Sequence, residues 1–257
     1  MKKKVMLILC DGMRPDSLSA CGHPFIPQFL SQSFASLDSH TVLPSMTLPC
    51  HLSLMHSVPP ERHGTMDNVY KPMVRPVPGL FDQLHRYERR SAFIYNWEQL
   101  RDLSRPGSLA FSYYISCDDN DRFKAHQNIL DTALVQLPLI DPDFAFVYFG
   151  LTDLEGHDHG WMKEAYLQAV KSSWDMIQKL DETFGKEYTI IVTADHGGLG
   201  RDHGGPTPEE MTIPIICKGP DFKPGEFHQA SIMDIAPTIA RLLDVPSAKS
   251  WEGHSLI

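Results

Sequence analysis

Hydrophobic positions along the chain fall into two patterns. Short unbroken apolar runs at Val5–Cys10, Phe144–Phe149 and Thr189–Thr193, with further ones at 91–97 and 212–217, predict strands buried on both faces. Longer stretches with apolar residues at helical spacing predict helices at 27–37, 80–89, 121–137, 161–184 and 231–243. In the first of these Phe29, Leu30, Phe34 and Leu37 form the apolar side, and in the last Pro237 stands near the start. Between 44 and 57, Pro49 suits the first turn of a helix, so Thr47 falls near its N-cap and the helix continues through His51, Leu52, Leu54 and Met55.

Strands alternating with helices over 257 residues predict an α/β fold: a mostly parallel central sheet with helices on both faces, as one domain over 1–257 with little or no cap. The polar, aromatic stretch 96–121, with Trp97, Arg101, Arg105, Tyr113 and Tyr114, is a candidate for substrate recognition or plain surface.

Three of the apolar runs lead into carboxylates. Asp11 follows the first, Asp153 lies just past the second, and Asp195 with His196 follows the third. Open parallel sheets bind ligands beyond the carboxyl ends of their strands, so three distant aspartates are expected to share one site. Asp153 and His157 are four residues apart, which either one helical turn or a compact turn at Gly156 brings together, with Asp158 and His159 as competitors. After His196 a glycine-rich segment lets Asp202 and His203 return towards the same tip. Three close carboxylates would repel one another unless cations sit between them. With His157, His196 and His203 the set supplies ligands for two divalent metals. Zinc suits mixed imidazole and carboxylate ligands, with manganese the alternative.

Two such metals polarise a phosphoryl oxygen and activate a hydroxyl. Thr47, at a helix N-terminus, is the candidate nucleophile, against the plainer reading of a capping threonine. Asn68 is a candidate donor to a phosphate oxygen, against the reading of a turn residue. His23, His40, His51 and His56 read as structural or solvated.

Charge and cysteine content narrow the classes. A net charge of -9, from 32 acidic and 23 basic residues, offers no basic footprint for duplex nucleic acid or an anionic membrane. No segment approaches the roughly 20 apolar residues of a membrane span. Lys2 to Lys4 ahead of Val5–Cys10 could be mistaken for a signal peptide, but the run is short and ends at Asp11, so it reads as a first strand. Five cysteines without CxxC spacing argue against a disulfide framework and fit a cytoplasmic protein.

Taken as a set, DGMRPD at Asp11, TLPCH at Thr47, ERHG followed by Asn68, DLEGHDHG at Asp153, TADHG at Asp195 and the later His203 resemble the alkaline phosphatase superfamily. The likeness is to its type I phosphodiesterase/nucleotide pyrophosphatase branch, and it extends to the closing DIAPTIARLLDVP and EGHSL. It implies a three-layer fold of that type. It also implies one zinc held by Asp11, Thr47, Asp195 and His196 and another by Asp153, His157 and His203. A phospho-threonine intermediate at Thr47, with Asn68 and the Thr47 amide on the phosphate oxygens, would act on a small-molecule phosphate ester. His203 lies only seven residues beyond His196, a compact spacing similar to sulfatase and phosphomutase relatives. Cys50 is followed by His51, Leu52, Ser53 and Leu54 rather than x-Pro-x-Arg, which excludes a sulfatase of the formylglycine kind. Phosphomonoester or phosphonate hydrolysis is the alternative on the same core, and a non-catalytic metal-binding protein is the alternative of another class.

Overall fold

The computed structural model describes residues 3–117 and 120–257, so Lys2 and positions 118 and 119 of the candidate recognition stretch lie outside it. Eight strands form one sheet: β1 (Val5–Cys10), β2 (Phe34–His40), β3 (Ser91–Tyr95), β4 (Phe111–Tyr114), β5 (Phe144–Phe149), β6 (Thr189–Thr193), β7 (Thr212–Lys218) and the two-residue β8 (Gly225–Glu226). Their order is β4-β3-β5-β1-β6-β7-β2-β8. Neighbours pair in parallel except that β7 runs antiparallel to both β6 and β2. The architecture is therefore α/β with a mixed, mostly parallel sheet. The central strands β1, β5 and β3 are buried along their whole length, which is why their sequences are uninterrupted apolar runs.

Helices form two groups. Glu164–Phe184 packs against both Phe25–Ser31 and Arg122–Ile140, while Thr47–His56, Leu80–Arg86 and Ile235–Leu242 form the second set. Phe25–Ser31 meets Glu164–Phe184 in a buried aromatic cluster of Phe25, Phe29 and Trp174. The Thr47–His56 helix is buried at every position, so it is held by tertiary contacts rather than by an exposed polar face.

One predicted element divides in two. The expected helix over 27–37 ends at Ser31, and Phe34 begins β2. The Ser33 hydroxyl donates to the Phe29 carbonyl at 2.6 Å and closes the helix. Phe34 then stacks on Phe227 and Phe222 while its backbone pairs with Cys217 of β7. The spacing of Phe29, Leu30, Phe34 and Leu37 fits a helix, but the sheet edge offers Phe34 more burial than another helical turn would. The stretch 96–121 likewise holds short 3-10 turns and β4 rather than a continuous loop.

Register sets the tips of the strands level. Cys10 lies beside Phe149 of β5 and Leu9 beside Thr193 of β6, so Asp11, Gly150 and Asp195 leave the sheet at nearly the same height.

Candidate metal centre

The site begins at that level edge. Asp11 continues β1, and its amide donates to the Phe149 carbonyl at 2.9 Å. Gly150 then opens the helix Leu151–His159, whose first turn carries Asp153 and whose next turn carries His157. The helical reading of that pair holds: His157 Nε2 is 3.5 Å from Asp153 Oδ2. Beyond β6, Asp195 and His196 are both fully buried.

The return of His203 depends on close packing. A Cβ on Gly198 would lie 2.2 Å from the Trp161 ring, so the chain passes there only without a side chain. Gly200, with φ of +65°, turns it back, and Leu199 pairs with Asp202. His203 then lies 3.6 Å from Asp153 Oδ1 and stacks on His196 with ring centroids 3.8 Å apart. Asp202 stays at the surface and accepts from the His203 amide. His159 faces away, 3.5 Å from Glu155, and takes no part in the cluster.

Thr47 is the first residue of its helix, with Met46 as N-cap. Its hydroxyl is 3.2 Å from His196 Nε2, which is itself 3.3 Å from Asp11 Oδ1 and 3.4 Å from Asp195 Oδ2. Asn68 comes to the same place, its Oδ1 accepting from the Leu48 amide at 3.0 Å. That bond satisfies one free amide of the helix N-terminus and leaves the Asn68 NH2 as its donor. All eight predicted site residues therefore meet, in two linked groups: Asp11, Asp195, His196 and Asn68 about Thr47, and Asp153 with His157 and His203. His196 also lies within reach of Asp153 and His203, so it stands between the groups.

The electrostatics of this arrangement call for positive charge. Burial, then the neighbouring Asp195 and Asp153, pushes the Asp11 carboxyl well above its ordinary range. Burial moves Asp153 up to about 6 against the opposing pull of His203 and His157. Burial also acts to raise Asp195, but His196, His51 and the Gly12 amide together outweigh it and hold the carboxyl low. Burial lowers His196, and burial with the nearby His196 ring brings His203 down to about 4.

The donor set fits divalent cations. One oxygen each of Asp11, Asp153 and Asp195 is buried without a hydrogen-bond partner. Each of the three histidines bonds through Nδ1 to a backbone carbonyl: His157 to Arg201 at 2.9 Å, His196 to Gly197 at 2.7 Å and His203 to Ser45 at 2.8 Å. The proton is thereby placed on Nδ1, and Nε2 presents a lone pair. Two such lone pairs, on His157 and His203, face each other at 3.2 Å. Lone pairs and ionised oxygens converging in this way are balanced by a cation between them.

Three contributors were not legible as such in the sequence. His51, read as structural, bonds through Nδ1 to the Thr47 carbonyl at 2.8 Å, which brings its ring to 3.4 Å from Asp195 Oδ2. Its spacing of four from Thr47 was the available signal. The Tyr148 hydroxyl donates to Asp11 from within a strand that reads as uniformly apolar. Trp161, expected as part of the following helix, precedes it and bonds through Nε1 to the Gly12 carbonyl at 2.9 Å, its ring edge-on to His157 and His203. Of the candidate recognition stretch, Asn96, Trp97 and Cys117 line the site's cavity of about 230 Å³, whereas Arg105 lines a separate crevice.

The fold is alkaline phosphatase-like, and its candidate metal ligands gather at one edge of the sheet. In structure the chain is similar to human ectonucleotide pyrophosphatase/phosphodiesterase 5, with a TM-score of 0.78 at 14% identity over 98% of this chain and 97% of that one. A 2-O GAG sulfatase gives 0.79 at 14% identity over 100% of this chain and 73% of the other. The chain belongs to the type I phosphodiesterase/nucleotide pyrophosphatase family, whose model matches residues 5–102 and 80–200. Among curated proteins it is 30% identical over 153 residues to the 2,3-bisphosphoglycerate-independent phosphoglycerate mutase of Haloquadratum walsbyi, covering 56% of this chain and 30% of that protein. It is 29% identical over 120 residues to the phosphopentomutase of Symbiobacterium thermophilum, covering 44% of this chain and 27% of that one. The matched stretches thus span less than a third of the length of these curated relatives.

Proposed function

We propose that this chain is a two-metal phosphoric ester hydrolase of the phosphodiesterase/nucleotide pyrophosphatase type, with Thr47 as nucleophile. The observation that carries this reading is the convergence of partnerless carboxylate oxygens and Nε2 lone pairs on the Thr47 hydroxyl. In it Asp11, Asp195, His196 and Thr47 hold one divalent ion and Asp153, His157 and His203 the other, zinc or manganese. Bound there, the metals supply positive charge for the phosphoryl oxygens and make the Thr47 hydroxyl acidic.

The chain's own residues do the rest. Thr47 Oγ1 forms a bond to phosphorus while the ester P–O bond breaks, and the proton that Thr47 gives up ends on the leaving oxygen, which departs as the alcohol. Asn68 donates through its NH2 to a non-bridging oxygen, and the Thr47 amide at the helix N-terminus adds a second donor. Water then cleaves the Thr47 phosphoester, releasing phosphate or a phosphomonoester and restoring the hydroxyl. A solved structure of murine ectonucleotide pyrophosphatase/phosphodiesterase 5 in an inactive threonine-to-alanine form, in complex with AMP, supports a threonine in this role.

Monoester or phosphonate hydrolysis is the second reading. It is favoured by the small cavity and by the structural likeness to the phosphonate monoester hydrolase of Silicibacter pomeroyi, with a TM-score of 0.73 at 15% identity over 99% of this chain and 76% of that one. The deciding experiment compares turnover of a bis-aryl phosphate, an aryl phosphate and an aryl phosphonate by metal-loaded protein. A monoester preference of orders of magnitude would displace the diesterase reading. Absence of turnover on all three, with metal bound, would leave a metal-binding protein.

A further inference from the structure

Asn96 stands just past β3, where the register of Ile94 beside Val147 sets it level with Phe149 and hence with the strand tips of the metal centre. Its side chain is buried at 2% exposure. Oδ1 accepts from the Gly150 amide at 3.1 Å, which fixes which end of the side chain is oxygen. Nδ2 is left buried and, among the described residues, without a partner, on a residue that lines the same cavity as Thr47 and Asn68. A donor held in this way is one that a ligand can satisfy.

The donor stands to one side of the Asp11 strand tip. β5 lies between β3 and β1, and adjacent strands are about 4.8 Å apart, so the backbone at the end of β3 is roughly 10 Å from that at the end of β1. That offset puts Asn96 on the cavity wall where the organic group esterified to the phosphorus can reach it. Trp97, half-buried on the same wall, gives that group an apolar face. The cavity of about 230 Å³ holds a phosphoryl group with a compact substituent.

We propose that Asn96 is a specificity-determining residue whose side-chain NH2 donates to a hydrogen-bond acceptor on a compact organic group of the ester. The proposal rests on the hydrolase reading above and specifies the substrate class of that site: small phosphate esters carrying an oxygen a few bonds from the phosphate.

Glycerol 1-phosphate and propyl phosphate differ in the presence of such oxygens, and inorganic phosphate lacks the organic group. Turnover of the two esters is measured with metal-loaded full chain, Asn96→Ala and Asn96→Asp. Binding of all three probes is measured by calorimetry in a Thr47→Ala background, with and without the Asn96 substitutions. Asn96→Asp keeps an oxygen for the Gly150 amide while removing the donor, so it guards against simple loss of folding. The unsubstituted protein is expected to favour glycerol 1-phosphate over propyl phosphate by about tenfold. Both substitutions bring that ratio to within about twofold of unity, while inorganic phosphate weakens less than glycerol 1-phosphate does. An unchanged ratio overturns the proposal, as does an absence of preference in the unsubstituted protein. So does a parallel weakening of all three probes, which would mark Asn96 as a support for Gly150 alone. If neither monoester is turned over yet the binding ratio collapses as expected, the monoester reading fails and the role of Asn96 stands; if a bis-aryl phosphate is not turned over either, the hydrolase reading fails with it.

Discussion

Thr47 is an ordinary residue in an unusual setting. Its hydroxyl faces His196, its carbonyl is held by His51, and the adjacent Leu48 amide is taken by Asn68. Thr47→Ala is expected to lower kcat by at least about a thousandfold, since loss of a nucleophile leaves only binding and electrostatic contributions. Metal content, measured by elemental analysis, stays largely as it was, because the carboxylates and imidazoles remain. Undiminished turnover would remove Thr47 from the mechanism. His51 acts through its neighbours: its Nδ1 holds the Thr47 carbonyl, which brings its ring beside Asp195. His51→Ala is expected to raise the metal concentration giving half-maximal activity by about 10–100-fold, the usual scale for groups that orient metal ligands. A titration that superimposes on the unsubstituted protein's would make His51 a packing residue only.

His126 gives a pH dependence away from the metal centre. Its ring packs edge-on to Phe149, is fully buried, and burial lowers it to about 3. The folded protein therefore binds this proton less readily than the unfolded chain, in which histidine titrates near 6.5. Stability from the neutral ring is complete above about pH 6.5 and is lost as pH falls from there towards 3, by up to about 1.4 kcal/mol per unit. His126→Leu is expected to flatten the fall of the unfolding midpoint over that window. A slope equal to that of the unsubstituted protein would show that other groups set acid sensitivity.

Among elements, the segment after β6 carries the most tightly constrained local structure. Gly198 lies against Trp161, and Trp161 in turn ties Gly12 to the edges of His157 and His203. Gly198→Ala is expected to cost about 1–3 kcal/mol through overpacking, roughly 2–12 °C in Tm for a chain of this size. Metal affinity should fall with it, because the displaced ring is the one against which the two histidines rest. A variant as stable and as tight for metal as the parent would show that the ring yields without cost. The same segment was readable in sequence as a strand ending in Asp195-His196 and a glycine-rich return. The 27–37 segment was not, because its apolar spacing fits a helix, and only the β7 edge with Phe222 and Phe227 turns its second half into a strand.

For the whole molecule, folding brings several buried carboxylates and imidazoles together at one edge of the sheet. The metals are expected to bind the folded chain and not the unfolded one, so at a hundredfold excess over Kd each of the two adds about 2.7 kcal/mol. Chelation of both should then lower Tm by roughly 10–20 °C, and excess zinc or manganese should restore it. A Tm indifferent to chelator would argue against the cation reading of Asp11, Asp153 and Asp195.

Sequence alone determined the strand tips, since a buried parallel strand must be apolar and a carboxylate at its end must face the sheet edge. It also offered the Asp153 and His157 pair at a spacing of four, which the helix Leu151–His159 then places on one face. The tertiary structure decided what no local pattern encodes. Register set Asp11, Gly150 and Asp195 level, and packing against Trp161 chose His203 over His159 as the neighbour of Asp153. The parts of His51, Tyr148 and Asn96 also appear only in three dimensions, for their partners are Asp195, Asp11 and Gly150, distant in sequence and adjacent only once the sheet has formed.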